Sequence, residues 1–232
     1  MDLTVVIPVY NGKNSIVRCL DSLAAQTYRD YKILIINDGS SDDSADVVSA
    51  YIQTHPDIAI TLVSRTNCGV AMTRNFGIEQ TETPYITFVD QDDFVAPGYL
   101  QTYVTAIQDA NADIVCGGYQ RYDAQRRKAI RVVSLTSDPW AKFVVPTPWA
   151  HIYRTAFLKE NNIRFLKTSI GEDVYFSLLA YAHTDCIVTI PDVSYYWVDN
   201  PFSVSNSRQK RVNKQVNPFA LLDALASDLP ED

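Results

Sequence analysis

Thr87-Phe88-Val89-Asp90-Gln91-Asp92-Asp93 is the stretch on which the interpretation of the whole chain depends. Tyr85 to Val89, opened by Pro84, form a short apolar strand, so the three carboxylates fall where a strand ends and a loop begins. Ligands bind at that edge of an open α/β sheet. Clustered carboxylates repel one another unless a cation lies between them, and Mg²⁺ is typically held by one or two carboxylates together with substrate phosphates. The stretch therefore indicates either a metal site or a solvated acidic turn.

Three further apolar strands precede this one, and helical patterns separate them. The strands are predicted at Leu3 to Tyr10, Tyr31 to Ile36 and Ile58 to Val63. Strands that alternate with helices form parallel sheets with right-handed crossovers. The order βαβαβαβ therefore predicts an α/β fold whose sheet is doubly wound and mostly parallel.

The second half of the chain is predicted to be smaller and less regular. Three prolines interrupt the pattern from Pro139 onward, so we expect an irregular region there. The predicted elements are a helix from Pro97 to Asp109, a strand at Asp113 to Cys116, a hairpin at Arg121 to Val133, a short helix from Thr155, strands at Ile187 to Ile190 and Ser194 to Val198, and an amphipathic C-terminal helix at Phe219 to Leu229. The predicted division is a first half at 1–110, a second half of the same domain at 111–206, and a tail at 207–232.

Local signals predict where several helices begin and which side they bury. Asn14-Ser15 is expected to cap the first helix, and Ser41 or Asp42 the second. A later helix opens at Gly171-Glu172-Asp173, and its inward face is predicted to carry Val174, Leu178 and Tyr181.

Composition excludes some classes of function. The 232 residues carry a net charge of -7, which argues against nucleic-acid binding. Residues 1–110 hold 14 acidic and 6 basic side chains, and residues 111–232 hold 13 and 14, so attraction to an anionic surface would come from the second half. The four cysteines are scattered, which predicts neither a zinc site nor a disulfide framework. Without a signal peptide or an apolar run long enough to span a membrane, we expect a cytoplasmic protein.

Five motifs occur in register along the chain. They are Val6-Ile7-Pro8-Val9-Tyr10-Asn11, Asn37-Asp38-Gly39-Ser40-Ser41-Asp42, Asn67-x-Gly-x-Ala-x-x-Arg74-Asn75-x-Gly77, Asp90-Gln91-Asp92-Asp93 and Glu172-Asp173. In this order and spacing the chain resembles the family 2 glycosyltransferases over roughly residues 3–207. The resemblance implies the GT-A fold, an inverting reaction, a nucleotide-sugar donor, and a divalent metal, Mn²⁺ or Mg²⁺.

The resemblance assigns donor binding to residues at the strand ends. Asp92, with Asp90 beside it, would hold the metal, which neutralises charge on the departing diphosphate. Asp90 also lies near the ribose. Asp38 is expected to accept a hydrogen bond from uracil N3–H, which favours a UDP-sugar, although a capping turn also explains this motif. The other residues assigned to nucleotide-sugar binding are Pro8, Val9, Tyr10, Asn11, Arg74 and Gln91.

The resemblance makes Asp173, the second residue of Glu172-Asp173, the expected catalytic base, and inversion needs such a carboxylate opposite the leaving diphosphate to take the proton of the attacking hydroxyl. Glu172 would support or cap. The alternative is that both carboxylates simply favour a helix N-terminus. Arg74 is expected to face the diphosphate or to orient Asp90 by a charge-assisted hydrogen bond, and the alternative is a surface ion pair.

Three residues are less clearly assigned. Asp93 is either a member of the acidic site or a loop or capping carboxylate for the helix after Pro97. Trp197 stands where the family often has a basic residue, so a phosphate contact would be lost or supplied by Arg208 or Lys210. His151 is interpreted as a structural residue.

The leading hypothesis is a sugar transfer to a hydroxyl of a glycan or lipid-linked saccharide. Two alternatives stay open. A sugar-phosphate nucleotidyltransferase would need a Gly-rich basic loop, which Asn11-Gly12-Lys13-Asn14 is not, and a binding module would not need Asp92 and Asp173. The basic segment Arg208 to Lys214 beside the C-terminal helix suggests peripheral contact with the inner face of the cell membrane, and a solvated helix is the alternative.

Overall fold

A computed structural model describes residues 1–168, 171–199 and 219–230 of the chain. These residues form a mixed α/β fold built on a seven-stranded sheet. The strands are β1 Leu3–Val9, β2 Tyr31–Asp38, β3 Ile60–Arg65, β4 Tyr85–Phe88, β5 Phe94–Val95, β6 Ile114–Cys116, β7 Tyr119–Asp123, β8 Lys128–Val133, β9 His151–Arg154, β10 Ile187–Thr189 and β11 Tyr195–Val198. The helices are α1 Ile16–Ala24, α2 Ser44–Thr54, α3 Val70–Gln80, α4 Tyr99–Asp109, α5 Thr155–Glu160, α6 Glu172–Ala182 and α7 Ala220–Asp228, with a 3-10 helix at Ala141–Val144.

The first four long strands form the parallel part of the main sheet, as predicted. The strand order is β10-β6-β9-β4-β1-β2-β3, and β1 pairs in parallel with both β2 and β4. Every residue of β1 is buried, because helices cover a parallel sheet on both faces. The four loops after β1, β2, β3 and β4 therefore meet at one side of the sheet, which we call the carboxyl edge.

The prediction of an irregular region after Pro139 is wrong in one respect, because this region supplies a central strand. β9 lies between β4 and β6 and is antiparallel to both. His151, Ile152 and Tyr153 are all buried, so the segment shows no alternation that would identify it as a strand. The 3-10 helix lies in the same region.

A second, four-stranded sheet carries the order β5-β11-β7-β8. The predicted hairpin is present as the antiparallel pair β7 and β8, with a register shift between Arg121 and Tyr122. β11 pairs with β5, the two-residue strand that directly follows the acidic stretch. This pairing fixes the acidic loop between the two sheets.

Several predicted boundaries and faces need correction. β2 continues through Asn37 and Asp38, which were assigned to a turn, and β3 begins at Ile60. Ser15 makes no cap bond, and its hydroxyl donates to the carbonyl of Gly12 instead. The inward side of α6 is also shifted.

The buried residues of α6 are Tyr175, Phe176, Ser177, Leu179, Ala180 and Tyr181. Val174 and Leu178 are only partly buried, so of the three predicted inward residues only Tyr181 is correct. The helix is apolar around most of its circumference, and tertiary packing against Phe165 and α7 decides which side faces inward.

The C-terminal tail is described only for α7 and its neighbours, and the basic segment Arg208 to Lys214 lies outside the described residues. α7 packs against α6, where the Tyr175 hydroxyl donates to the Asp228 carboxylate. Among the described residues, no helix is both long and apolar enough to cross a bilayer.

Candidate active site

Asn11 joins the first two loops of the carboxyl edge. Its backbone adopts φ 50, a left-handed conformation that Asn tolerates better than most residues. The side-chain oxygen accepts hydrogen bonds from the amides of Ser41 (2.8 Å) and Asp42 (3.3 Å), and its own amide donates to the Ser40 hydroxyl at 3.0 Å. Asp43 takes the N-cap position of α2 and makes no side-chain cap bond, so neither Ser41 nor Asp42 is the N-cap, although the Asp42 carboxylate accepts a hydrogen bond from the Ser44 amide at 3.0 Å. Asn11 therefore shapes this loop pair through its side chain.

Gln91 joins the acidic loop to the end of β1. Its side-chain oxygen accepts from the Tyr10 amide and its side-chain nitrogen donates to the Tyr10 carbonyl, both at 3.0 Å. Gly12 makes room for this contact, since a Cβ there would lie 2.1 Å from the Gln91 oxygen. Tyr10 is held by its backbone while its ring is 50% exposed. Pro8 and Val9 are buried within β1 below it.

Asp38 joins the loops after β2 and β3. The side chain is buried, and its carboxylate accepts hydrogen bonds from the amides of Cys68 and Gly69, each at 2.9 Å. Gly69 has φ 90 and takes the N-cap position of α3, so the carboxylate lies at the N-terminal end of that helix, where negative charge is favourable. The predicted bond from Asp38 to uracil would come in addition to these two.

Arg74 lies at the centre of the carboxyl edge and is 3% exposed. Its guanidinium donates to Asp90 Oδ1 at 2.7 Å and to Asp173 Oδ1 at 2.6 Å. Burial disfavours the charged form, but the carboxylates of Asp173 and Asp90 outweigh it and raise the pKa of Arg74 further above its ordinary value. The interpretation of Arg74 as a surface ion pair is therefore wrong, and Arg74 does orient Asp90.

Asp173 lies in the first turn of α6, after Gly171 with φ 83 at the N-cap position. Glu172 is the first helical residue and does not cap. Burial raises the pKa of Asp173 to about 6, although the bond from Arg74 works in the opposite direction. A carboxylate with a pKa near neutrality in a half-open position is suited to accepting a proton.

The three acidic residues of the opening stretch have different surroundings. Asp90 and Asp92 are partly exposed, whereas Asp93 is buried. Asp93 accepts hydrogen bonds from the Tyr195 hydroxyl (2.7 Å) and the Val198 amide (2.8 Å), and burial together with Asp90 and Asp92 raises its pKa well above the usual range. Asp93 is thus a loop carboxylate that anchors β11, and Gly98 takes the N-cap position of α4.

Comparison with known proteins shows which family carries this arrangement. The sequence profile described as glycosyl transferase family 2 matches residues 4–185. The chain belongs to this family. Glycosyltransferase GlyA of Streptococcus pneumoniae is 26% identical over 97% of the chain and 34% of its own length. The glycosyltransferase YibD of Escherichia coli is 29% identical over 75% of the chain and 55% of its own length, so the chain spans only part of these relatives.

The structure of this family 2 domain has solved neighbours with the GT-A fold, as predicted. Staphylococcus aureus TarS in complex with UDP-GlcNAc superposes with a TM-score of 0.81 at 23% identity, covering 98% of the chain and 66% of TarS 1-349. A mannosyltransferase from Pyrobaculum calidifontis in complex with GDP-Man and Mn²⁺ gives a TM-score of 0.66 at 21% identity, covering 85% of the chain and 56% of its own. These likenesses establish the fold.

Sequence reasoning missed several residues that hold the family 2 site together. The Tyr195 hydroxyl donates to the Asp93 carboxylate, and its oxygen accepts a hydrogen bond from the Asp90 amide at 3.2 Å. Asn75 and Phe165 connect α3 to the segment before α6. Asn75 follows Arg74 directly within a recognised motif, which was the available signal, but nothing in the sequence near Phe165 points to this role.

Two less clearly assigned residues of the family 2 domain are explained by their contacts. His151 is buried between the Trp149 carbonyl and the Tyr181 hydroxyl, each 2.8 Å from a ring nitrogen, and burial lowers its pKa to about 4. It is structural, as predicted. Trp197 lies beside Arg121 on the neighbouring strand, whose guanidinium is 5.0 Å from the Trp197 ring centre. Arg208 and Lys210 lie outside the described residues.

Proposed function

We propose that this family 2 domain transfers a sugar from a nucleotide-sugar, UDP-linked in our assignment, to a hydroxyl of a glycan or lipid-linked saccharide, with inversion. The observation that carries the proposal is the buried Arg74, whose one guanidinium binds Asp90 from the donor loops and Asp173 from α6. The proposed base and a donor-binding carboxylate are thereby held by the two terminal nitrogens of one cation.

Asp173 acts as the general base in this proposal. Its carboxylate takes the proton of the acceptor hydroxyl while the hydroxyl oxygen bonds to the anomeric carbon. The bond from that carbon to the β-phosphate oxygen breaks, and the electron pair leaves with the nucleoside diphosphate. Attack from the side opposite the leaving group inverts the configuration. The pKa of Asp173, raised by burial to about 6, keeps most of the carboxylate ionised at neutral pH and still basic.

The donor contacts are assigned to the carboxyl edge. The exposed Tyr10 ring and the adjoining backbone of Pro8, Val9 and Asn11 would receive the base, with Asp38 bonding to uracil N3–H. The neighbour TarS binds UDP and UDP-GlcNAc, which supports a uridine donor. The mannosyltransferase neighbour binds GDP-Man, so guanosine nucleotides belong in the test.

Asp92 and Asp90 would hold the divalent metal. Within the described ranges, no group of three or more His, Cys, Asp or Glu side chains is arranged to hold a metal alone. Two carboxylates in one partly exposed loop do fit Mg²⁺ or Mn²⁺ when substrate phosphates complete the coordination. The bound metal would act as a Lewis acid that neutralises negative charge on the leaving diphosphate.

We assign the acceptor and the location of the protein only by class. Two relatives glycosylate poly(ribitol-phosphate): a β-glucosyltransferase of Bacillus spizizenii, 28% identical, and TarS, 26% identical. They support an acceptor with many hydroxyl groups, of the kind made for the cell envelope. Contact of the tail with the inner face of the membrane remains our proposal, since its basic segment lies outside the described residues.

Isothermal titration of UDP and GDP, each with and without Mn²⁺, tests the donor site. We expect tight UDP binding that depends on Mn²⁺ and falls at least tenfold in Asp92→Ala, because one metal ligand is lost. GDP binding instead of UDP would overturn the uridine assignment.

Hydrolysis or transfer assays with UDP-sugars distinguish a glycosyltransferase from a binding module and from a nucleotidyltransferase. Release of UDP that requires Asp173 supports the transferase. Nucleotide binding without turnover would favour a binding module, and formation of a nucleotide-sugar from a sugar phosphate and UTP would favour a nucleotidyltransferase.

A further inference from the structure

Asn75 makes a two-bonded contact with the chain segment that precedes α6. Its side-chain nitrogen donates to the Phe165 carbonyl at 2.9 Å, and its side-chain oxygen accepts from the Phe165 amide at 2.7 Å. Asn75 is buried, and so is Phe165. The planar side-chain amide of Asn75 supplies both the donor and the acceptor that this pair of bonds requires.

Phe165 passes this contact on to α6. Its ring stacks on Phe176 with a centroid distance of 3.9 Å and an interplanar angle of 2°. Phe176 lies on α6 three residues after Asp173, which places it one turn along the helix. The position of the Phe165 backbone therefore constrains the helix that carries Asp173.

The same ring also covers Arg74. The Cζ of Arg74 lies 5.4 Å from the centre of the Phe165 ring, within the range of a cation–π contact. The contacts run from Asn75 to Phe165, to Phe176, to Asp173 and back through Arg74 to its sequence neighbour Asn75. They form a closed circuit that joins α3 to α6.

We propose that Asn75 is a positioning residue, whose paired bonds to Phe165 fix the distance between α3 and α6 and so hold the Arg74 guanidinium against Asp90 and Asp173 together. This inference rests on the proposed function for its catalytic meaning. Its structural claim, that Asn75 determines the geometry of Arg74, stands independently of what is transferred. Asn75 itself touches neither the acidic loop nor Asp173 in the described contacts.

Asn75→Ala removes both bonds and leaves the Phe165 amide and carbonyl without their partner. We expect kcat for sugar transfer to fall ten- to a hundredfold, because Arg74 and Asp173 lose their fixed geometry. The dissociation constant for UDP should rise by a smaller factor than kcat falls, because Asp90 loses its fixed bond from Arg74 while Asn11, Gln91 and Asp38 still hold the donor loops.

The matched control is Asn161→Ala. Asn161 also donates from its side-chain nitrogen to a backbone carbonyl at 2.9 Å, that of Phe157, but it lies at the C-cap of α5 and this bond does not join α5 to another element. Its kcat should stay within twofold of the parent protein. Equal losses of kcat in both variants would overturn the proposal.

A readout without turnover separates this inference from the proposed function. In the parent protein, ¹⁵N NMR of the Arg74 guanidinium should show restricted rotation with separate Nη signals, because two carboxylates hold it. These signals should merge in Asn75→Ala and persist in Asn161→Ala. Unchanged Arg74 signals in folded Asn75→Ala would refute the positioning role even if transfer is measured. Merged signals without any transferase activity in the parent would refute the function alone.

Phe165→Leu serves if Asn75→Ala does not fold. This variant keeps the backbone that Asn75 binds and removes the stack on Phe176 and the ring over Arg74. A loss of kcat with merged Arg74 signals is expected again. If kcat and the Arg74 signals both stayed as in the parent protein, these contacts would not position Arg74.

Discussion

The two sides of the candidate site are held in place by different forces. On the side that we assign to the donor, formed by the loops after β1, β2 and β4, Asn11, Gln91 and Asp38 each bind the backbone of a neighbouring loop. On the side that we assign to the acceptor, which carries α6, this helix is held by stacked aromatic rings and by the buried side chain of Arg74. Each hydrogen bond to backbone joins one pair of donor loops independently of the others, whereas the position of Asp173 depends on the packing of several residues at once. Changes on the acceptor side should therefore have larger effects on chemistry, and changes on the donor side should mainly affect binding.

Asp173→Asn is the change with the largest expected effect. Loss of a general base lowers rates by about 10²–10⁴-fold, so kcat should fall within that range while UDP affinity changes little. Steady-state assays of UDP release with titration of UDP by calorimetry measure both quantities.

Glu172→Gln is the matched control for Asp173→Asn. It removes a carboxylate from the same helix N-terminus, whereas the described hydrogen bonds of Arg74 to carboxylates go to Asp90 and Asp173. If the two variants lost equal activity, the negative charge at the N-terminus of α6, and not a general base, would explain the loss. That result would contradict the expected difference between the two sides of the site.

The pH dependence of kcat/KM tests the role of Asp173 through a smaller effect. Burial raises the pKa of Asp173 to about 6, so kcat/KM should fall about tenfold per pH unit below that value as the base is protonated. Stability responds in the opposite sense, because a raised folded-state pKa adds stability that is complete below the unfolded value of about 3.9 and is lost as pH rises through about 6. An acidic limb near pH 4 in the rate profile, measured at saturating metal, would contradict this prediction.

Gln91→Ala has the smallest expected effect and tests the donor side. Two hydrogen bonds to Tyr10 are lost, each worth about 0.5–1.5 kcal/mol, so KM for the donor should rise several-fold with kcat nearly unchanged. Gly12→Ala should act in the same way, because its Cβ would displace the Gln91 side chain. If the changes in KM of Gly12→Ala and Gln91→Ala were strictly additive in the double variant, the two residues would not act through one contact.

The parallel core and the donor loops were largely predictable from sequence. β1, β2 and β4 are mostly apolar, and Asn, Asp or Gly at or shortly after the end of each one signals a turn. Asn11, Asp38 and Asp90 were accordingly expected at one edge, and the structure brings them there. Their assigned roles in binding stay predictions, as does the division at residues 110 and 206.

The acceptor side was less predictable because its contacts join distant parts of the chain. Arg74 and Asp173 are separated by 99 residues, and no local pattern connects them. β9 lacks alternation because it is buried on both faces, and α6 lacks a clear polar side, so its inward face was misjudged. Tertiary packing decides these features, and a single sequence records packing only indirectly.

The place of β9 in the main sheet also constrains the order in which a growing chain can fold. β3, β2, β1 and β4 can pair as soon as residue 88 has emerged, but β6 cannot join them before residues 151–154 arrive, because β9 separates it from β4. Until then the free edge of β4 is an apolar strand with unpaired backbone groups, which favours association with other chains. Synthesis of β9 therefore covers this edge of β4, and the outer edge of β6 is covered only when β10 follows.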